Sequence, residues 1–111
     1  MEQIAWADFE KVELRAGTIV EVEDFPEARK PAYKLKVDFG ELGIRQSSAQ
    51  ITVRYRKEEV VGKQVLAVVN FPKKQIANFF SECLVTGVPD ADGAVVLVSP
   101  DVKVENGVRL F

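Results

Sequence analysis

Apolar and polar residues alternate along much of this chain with a period of two, the pattern of strands half-buried on one face. The cleanest run covers residues 33–39: Tyr33, Leu35, Val37 and Phe39 alternate with Lys34, Lys36 and Asp38. It puts two lysines side by side on an outer face. A strand over about residues 15–23 carries Thr18, Val20 and Val22 on one face, with Glu21 and Glu23 on the other. Gly40-Glu41-Leu42-Gly43 predicts a turn, and residues 44–48 a strand returning on the one before. Residues 64–69 are apolar on both faces, hence a central or interface strand. Residues 83–88 and 94–98 are two more strands, joined by Asp90-Ala91-Asp92-Gly93. Asn106-Gly107 turns the chain a last time. Helical signals are short: residues 6–11, with Asp8 as cap, and residues 58–61 ending at Gly62. Short strands between turns predict a small all-β domain over residues 1–111, a barrel or a sandwich.

Composition narrows the function. The 111 residues are 47% hydrophobic, enough for a buried core. No apolar run approaches ~18 residues. The stretch Met1-Glu2-Gln3-Ile4-Ala5-Trp6 lacks the regions of a signal peptide. A cytoplasmic protein without membrane insertion is expected. Cys83 is the one cysteine and histidine is absent, so an internal disulfide and a Cys/His metal site are excluded. The commonest acid–base group near neutral pH is missing too. Cys83 reads as a small core residue. The expectation is a binding protein with no catalytic residue, metal or cofactor.

Charge is unevenly spread. Residues 1–28 hold two basic and eight acidic side chains, residues 29–74 eleven and four, and residues 75–111 two and five. A net +7 middle lies between flanks of −6 and −3, although the whole chain is −2. Such a block either maintains solubility or meets a polyanion. Polar and basic residues follow one another there: Lys34, Lys36, Arg45, Gln46, Ser47, Ser48, Gln50, Arg54, Arg56 and Lys57. Residues 70–87 then predict a loop fixed by Pro72, presenting Lys73, Lys74 and the rings of Phe71, Phe79 and Phe80. Cations and hydroxyls of this kind hold phosphate and ribose, and exposed rings stack on unpaired bases. The phenylalanines serve equally well as core. The apolar ends, Ile4, Trp6 and Phe9 with Leu110 and Phe111, either fold onto their own domain or form a subunit interface.

Several segments carry a family resemblance. They are Glu13-Leu14-Arg15-Ala16-Gly17-Thr18-Ile19-Val20, Phe25-Pro26-Glu27-Ala28-Arg29, Gln46-Ser47-Ser48-Ala49-Gln50-Ile51-Thr52, Val68-Val69-Asn70-Phe71-Pro72 and Ile76-Ala77-Asn78-Phe79-Phe80-Ser81-Glu82. Over essentially its whole length the chain resembles the tRNA-binding domain family. That family is an OB-fold module appended to some aminoacyl-tRNA synthetases and found as free-standing dimers. The serine pair before Ala49-Gln50, and Asn78 where the wider family prefers glycine, favour its export-related chaperone branch.

The resemblance implies a five-stranded OB-fold barrel with short helical turns. It also implies a homodimer built through the terminal segments (Ile4, Trp6, Phe9, Leu110, Phe111). Lys73 and Lys74 match the basic place after the proline where family members contact tRNA, and Ser47, Ser48 and Ser81 match its polar positions. With the strand cations, the expected RNA-binding set is Lys34, Lys36, Arg45, Ser47, Ser48, Arg54, Lys73, Lys74 and Ser81. A second implied partner is an unfolded preprotein or peptide, held by Tyr33, Gln50, Phe71, Phe79 and Phe80. The implied function is a non-catalytic tRNA-binding module with chaperone activity in protein export. The alternative is a purely tRNA-binding accessory factor of a synthetase.

Overall fold

The longest strand, β1 (Leu14–Asp24), organises the chain in a computed structural model that describes residues 1–111. A register shift between Ile19 and Glu21 bends it. Its first half pairs antiparallel with β4 (Gln64–Val68) and its second half with β2 (Tyr33–Asp38). The bend also overturns part of the expected pattern. Ile19 is buried while Val20 is largely exposed, because the irregularity exchanges the two faces. Gly17 answers to crowding at the same strand. A Cβ there would sit 2.6 Å from Val37 and 2.7 Å from the Phe39 ring.

β3 (Ile44–Ala49) flanks β2, and β7 (Leu84–Val85) flanks β4, giving the order β3-β2-β1-β4-β7. The two ends of this sheet then meet. The Glu82 amide donates to the Gln46 carbonyl (2.8 Å), and the Gln46 amide donates back to the Glu82 carboxylate (3.0 Å). The Ser47 hydroxyl donates to the Cys83 carbonyl (2.9 Å). These bonds nearly close the antiparallel five-stranded sheet into a barrel, with β3 and β7 running parallel at the seam, the connectivity of an OB-fold. Inside it Ile19, Leu35, Val37, Phe39, Val60 and Val65 are almost wholly buried. Val60 comes from α2 (Lys57–Val60), the short helix between β3 and β4, as the sequence predicted.

Other expectations are corrected. Residues 83–88 are not one strand. Thr86 interrupts them, its amide and hydroxyl both donating to the Leu66 carbonyl (3.0 and 2.8 Å). The chain then continues as β8 (Gly87–Pro89), paired with β9 (Val95–Leu97). Asp8 is not the cap of α1 (Trp6–Glu10); it lies within the first turn and accepts the Ala5 amide (2.9 Å). The loop expected after Pro72 is a hairpin, β5 (Lys74–Ile76) with β6 (Phe79–Ser81), closed by Ala77-Asn78. Ala77 turns it at φ +55°, in the left-handed region. At the other extreme of the chain, the Leu110 amide donates to Leu14 (2.8 Å), so the last residues run beside β1.

Candidate nucleic-acid interface

Fifteen basic side chains are present, and eight of them are spent on ion pairs. Within the positive block, Lys36 meets Glu21 (3.0 Å), Arg54 meets Asp90 (2.8 Å), Arg56 meets Glu59 (3.2 Å) and Lys57 meets Asp24 (2.9 Å). Lys73 approaches Glu82 at 3.6 Å. The amine pKa values of Lys36 and Lys57 are raised, each first by the hydrogen bond to its carboxylate partner. That of Asp90 is lowered, first by the hydrogen bond from Arg54. Arg45 donates to the Val69 carbonyl (2.6 Å). Lys34 lies over the Phe25 ring at 4.8 Å, and Lys63 over Tyr55 at 5.9 Å. Most cations of the block are thus engaged within the chain.

Three cations of the block are left: Arg29, Lys30 and Lys74. All three line one groove of about 750 Å³, together with Ser48, Gln50 and Gln75 as hydrogen-bonding groups and Glu27 as the one acid. Its walls are the β5–β6 hairpin and the segment after β1. They are pinned together by a small apolar cluster in which Phe25 and Phe79 meet edge to face at 5.3 Å, with Ala32 buried beside them and Ile76 packed against it. An open groove with three unneutralised cations and several amide and hydroxyl donors is suited to a polyanion. Arg29, Lys30 and Gln75 were absent from the residue set expected from sequence. The signals for the first two were their position at the head of the positive block and, for Arg29, its place in the Phe25–Arg29 resemblance segment.

The remaining candidates divide by burial. Ser48 is half-buried in the groove and Gln50 is exposed there. Ser47 is 1% exposed with its hydroxyl occupied, so it serves the barrel seam and cannot reach a ligand. Ser81 is half-buried, donating to the Cys83 carbonyl (3.2 Å). Tyr33 is a core residue whose hydroxyl donates to the Tyr55 carbonyl (2.7 Å), and Phe79 belongs to the cluster above. Both rings are more than nine-tenths buried. Phe71 and Phe80 are exposed. Burial pushes the Cys83 thiol up to about 11, so it stays protonated and a poor nucleophile.

Barrel and groove define the class: a small OB-type β-barrel with a basic groove on one flank. Residues 14–109 match the family model described as "Putative tRNA binding domain", and the chain belongs to that family. It is 37% identical over 109 residues to a methionine–tRNA ligase of Porphyromonas gingivalis. That match covers 98% of this chain but only 16% of the ligase, so the chain spans about a sixth of this relative's length. Two crystal structures match along their full length. The CsaA chaperone protein from Picrophilus torridus superposes with TM-score 0.92 at 53% identity, covering 98% of this chain. The chaperone CsaA from Bacillus anthracis gives 0.92 at 50% identity, covering 99%.

Proposed function

We propose that this chain is a non-catalytic, cytoplasmic module that binds tRNA, with Arg29, Lys30 and Lys74 holding backbone phosphates. Ser48, Gln50 and Gln75 add hydrogen bonds to ribose and phosphate oxygens. The observation that carries the reading is the convergence on one groove of three cations without an internal partner, while five of the block's other cations meet carboxylates and three are held by a carbonyl or a ring. Phosphate contacts of this kind release counterions. The logarithm of tRNA affinity should therefore fall with the logarithm of salt concentration at a slope of about −2 or steeper. A salt-independent affinity sinks the proposal. Association with a synthetase fits the ligase relatives, and co-sedimentation with one on tRNA is its test.

A second activity, chaperoning of unfolded preproteins in export, is supported by the similarity to two CsaA chaperones and by the exposed Phe80 ring on the outer face of the hairpin. Phe80→Ala should weaken capture of an extended apolar peptide at high salt, where phosphate binding is lost. The terminal segments supply a homodimer in this reading. Ile4, Trp6 and Phe111 are 68%, 67% and 99% exposed, while Phe9 packs on Trp6 and Leu110 is half-buried beside β1. Trp6→Glu should shift sedimentation from dimer to monomer; a parent that is already monomeric refutes the interface.

A further inference from the structure

A second pocket, about 370 Å³, opens beside the hairpin between Phe71, Pro72 and Leu84, with Lys74 and Ser81 as its polar groups. Phe71 is 57% and Leu84 48% exposed, so two large apolar side chains stand uncovered there. Lys74 lines this pocket and the basic groove alike, so the two share a wall. Resting on the tRNA-binding reading, we propose that this pocket takes one unpaired nucleobase of the same RNA whose phosphates lie in the groove.

The chemistry of the walls favours that occupant. The volume is in the range of small-ligand sites, roomy for one heterocycle and too small for a duplex. Phe71 offers a ring face for stacking, and Leu84 and Pro72 close the sides. The Lys74 ammonium can donate to a carbonyl on the base edge. Ser81 already donates to Cys83, which leaves its oxygen to accept a base N–H. An apolar peptide side chain would suit Phe71 and Leu84 but would offer no partner to the Lys74 ammonium or the Ser81 hydroxyl.

The test compares two probes on the full chain: a ten-residue oligouridylate and an abasic ribose-phosphate oligomer of the same length. Phe71→Ala should weaken the oligouridylate roughly tenfold, the loss expected for one stacked base, and leave the abasic oligomer within twofold. Leu84→Ser, also at an exposed position, should repeat the pattern with a smaller loss. Equal losses on both probes, or none on either, overturn the base pocket. So does an apolar peptide that competes on the parent and not on Phe71→Ala while oligouridylate binding is unchanged. Arg29→Glu with Lys30→Glu should weaken both probes alike. If that variant weakens neither, the groove reading falls by itself, whatever Phe71→Ala does.

Discussion

The barrel seam and the basic groove are both built from polar residues on or next to β3, and they use them in opposite ways. At the seam, Gln46, Ser47 and Glu82 bond to one another's strands, and Ser47 is shut away from solvent. At the groove, Ser48 and Gln50 from the same segment face solvent beside Arg29, Lys30 and Lys74, none of which has an acidic partner. Alternation along β3 produces the split: residues 47 and 49 point into the barrel and residue 48 points out. The same difference separates the two lysines after Pro72. Lys73 is drawn to Glu82, whereas Lys74 is free. Polar groups that find partners inside the chain hold the fold; those left without partners are available to a ligand.

The contrast is broken most directly by charge reversal. Arg29→Glu, Lys30→Glu and Lys74→Glu together should lower tRNA affinity on the order of 100-fold and flatten the salt dependence by about two to three units of slope. The melting temperature should barely move, because no internal ion pair is lost. An unchanged affinity would place the ligand elsewhere.

Cys83 probes the interior behind the seam. Its thiol keeps its proton up to about pH 11 in the fold, against an ordinary value near 9. As the pH rises between them, the unfolded chain loses a proton that the folded chain retains. The stability present below about pH 9 is therefore lost on the way to 11, on the order of 2 kcal/mol. Urea melts of the parent and Cys83→Ala across that range should converge as the pH rises; parallel curves would contradict the burial argument.

Ser47→Ala acts at the seam from the other side. It removes the shorter of two hydroxyl bonds to the Cys83 carbonyl, the other coming from Ser81, and should cost about 1 kcal/mol, read as a melting point lower by several degrees. Below that temperature tRNA affinity should hold within twofold. A loss of tRNA binding with no loss of stability would make Ser47 a contact residue after all.

The smallest effect concerns the groove's outer wall. Ala77 occupies a left-handed turn position that costs an L-residue about 1–2 kcal/mol, a strain glycine does not bear. Ala77→Gly should stabilise the chain by about half a kcal/mol, after the extra chain entropy of glycine is counted. A destabilised variant would mean that the turn is not strained.

Strands were legible in the sequence where one face is buried without interruption. Tyr33 to Phe39 alternates as read, and the burial of Leu35, Val37 and Phe39 follows. Reading failed where a local irregularity resets the period. The bend after Ile19 put Val20 outside, and Thr86 divided an apolar run between two sheets. It failed again for aromatics. Phe79 and Phe80 are adjacent and chemically identical, yet hairpin pairing sends one against Phe25 and leaves the other in water.

Composition and periodicity alone determined a mostly-strand chain with a positive middle, because strand period and residue type are local properties. Which cations stay unpaired was decided only in three dimensions. Arg54 and Asp90 lie 36 positions apart and Lys57 and Asp24 lie 33 apart, and each pair meets because the barrel brings distant strands and loops together. Charge neutralisation depends on distance through space, and distance through space is not written along the chain.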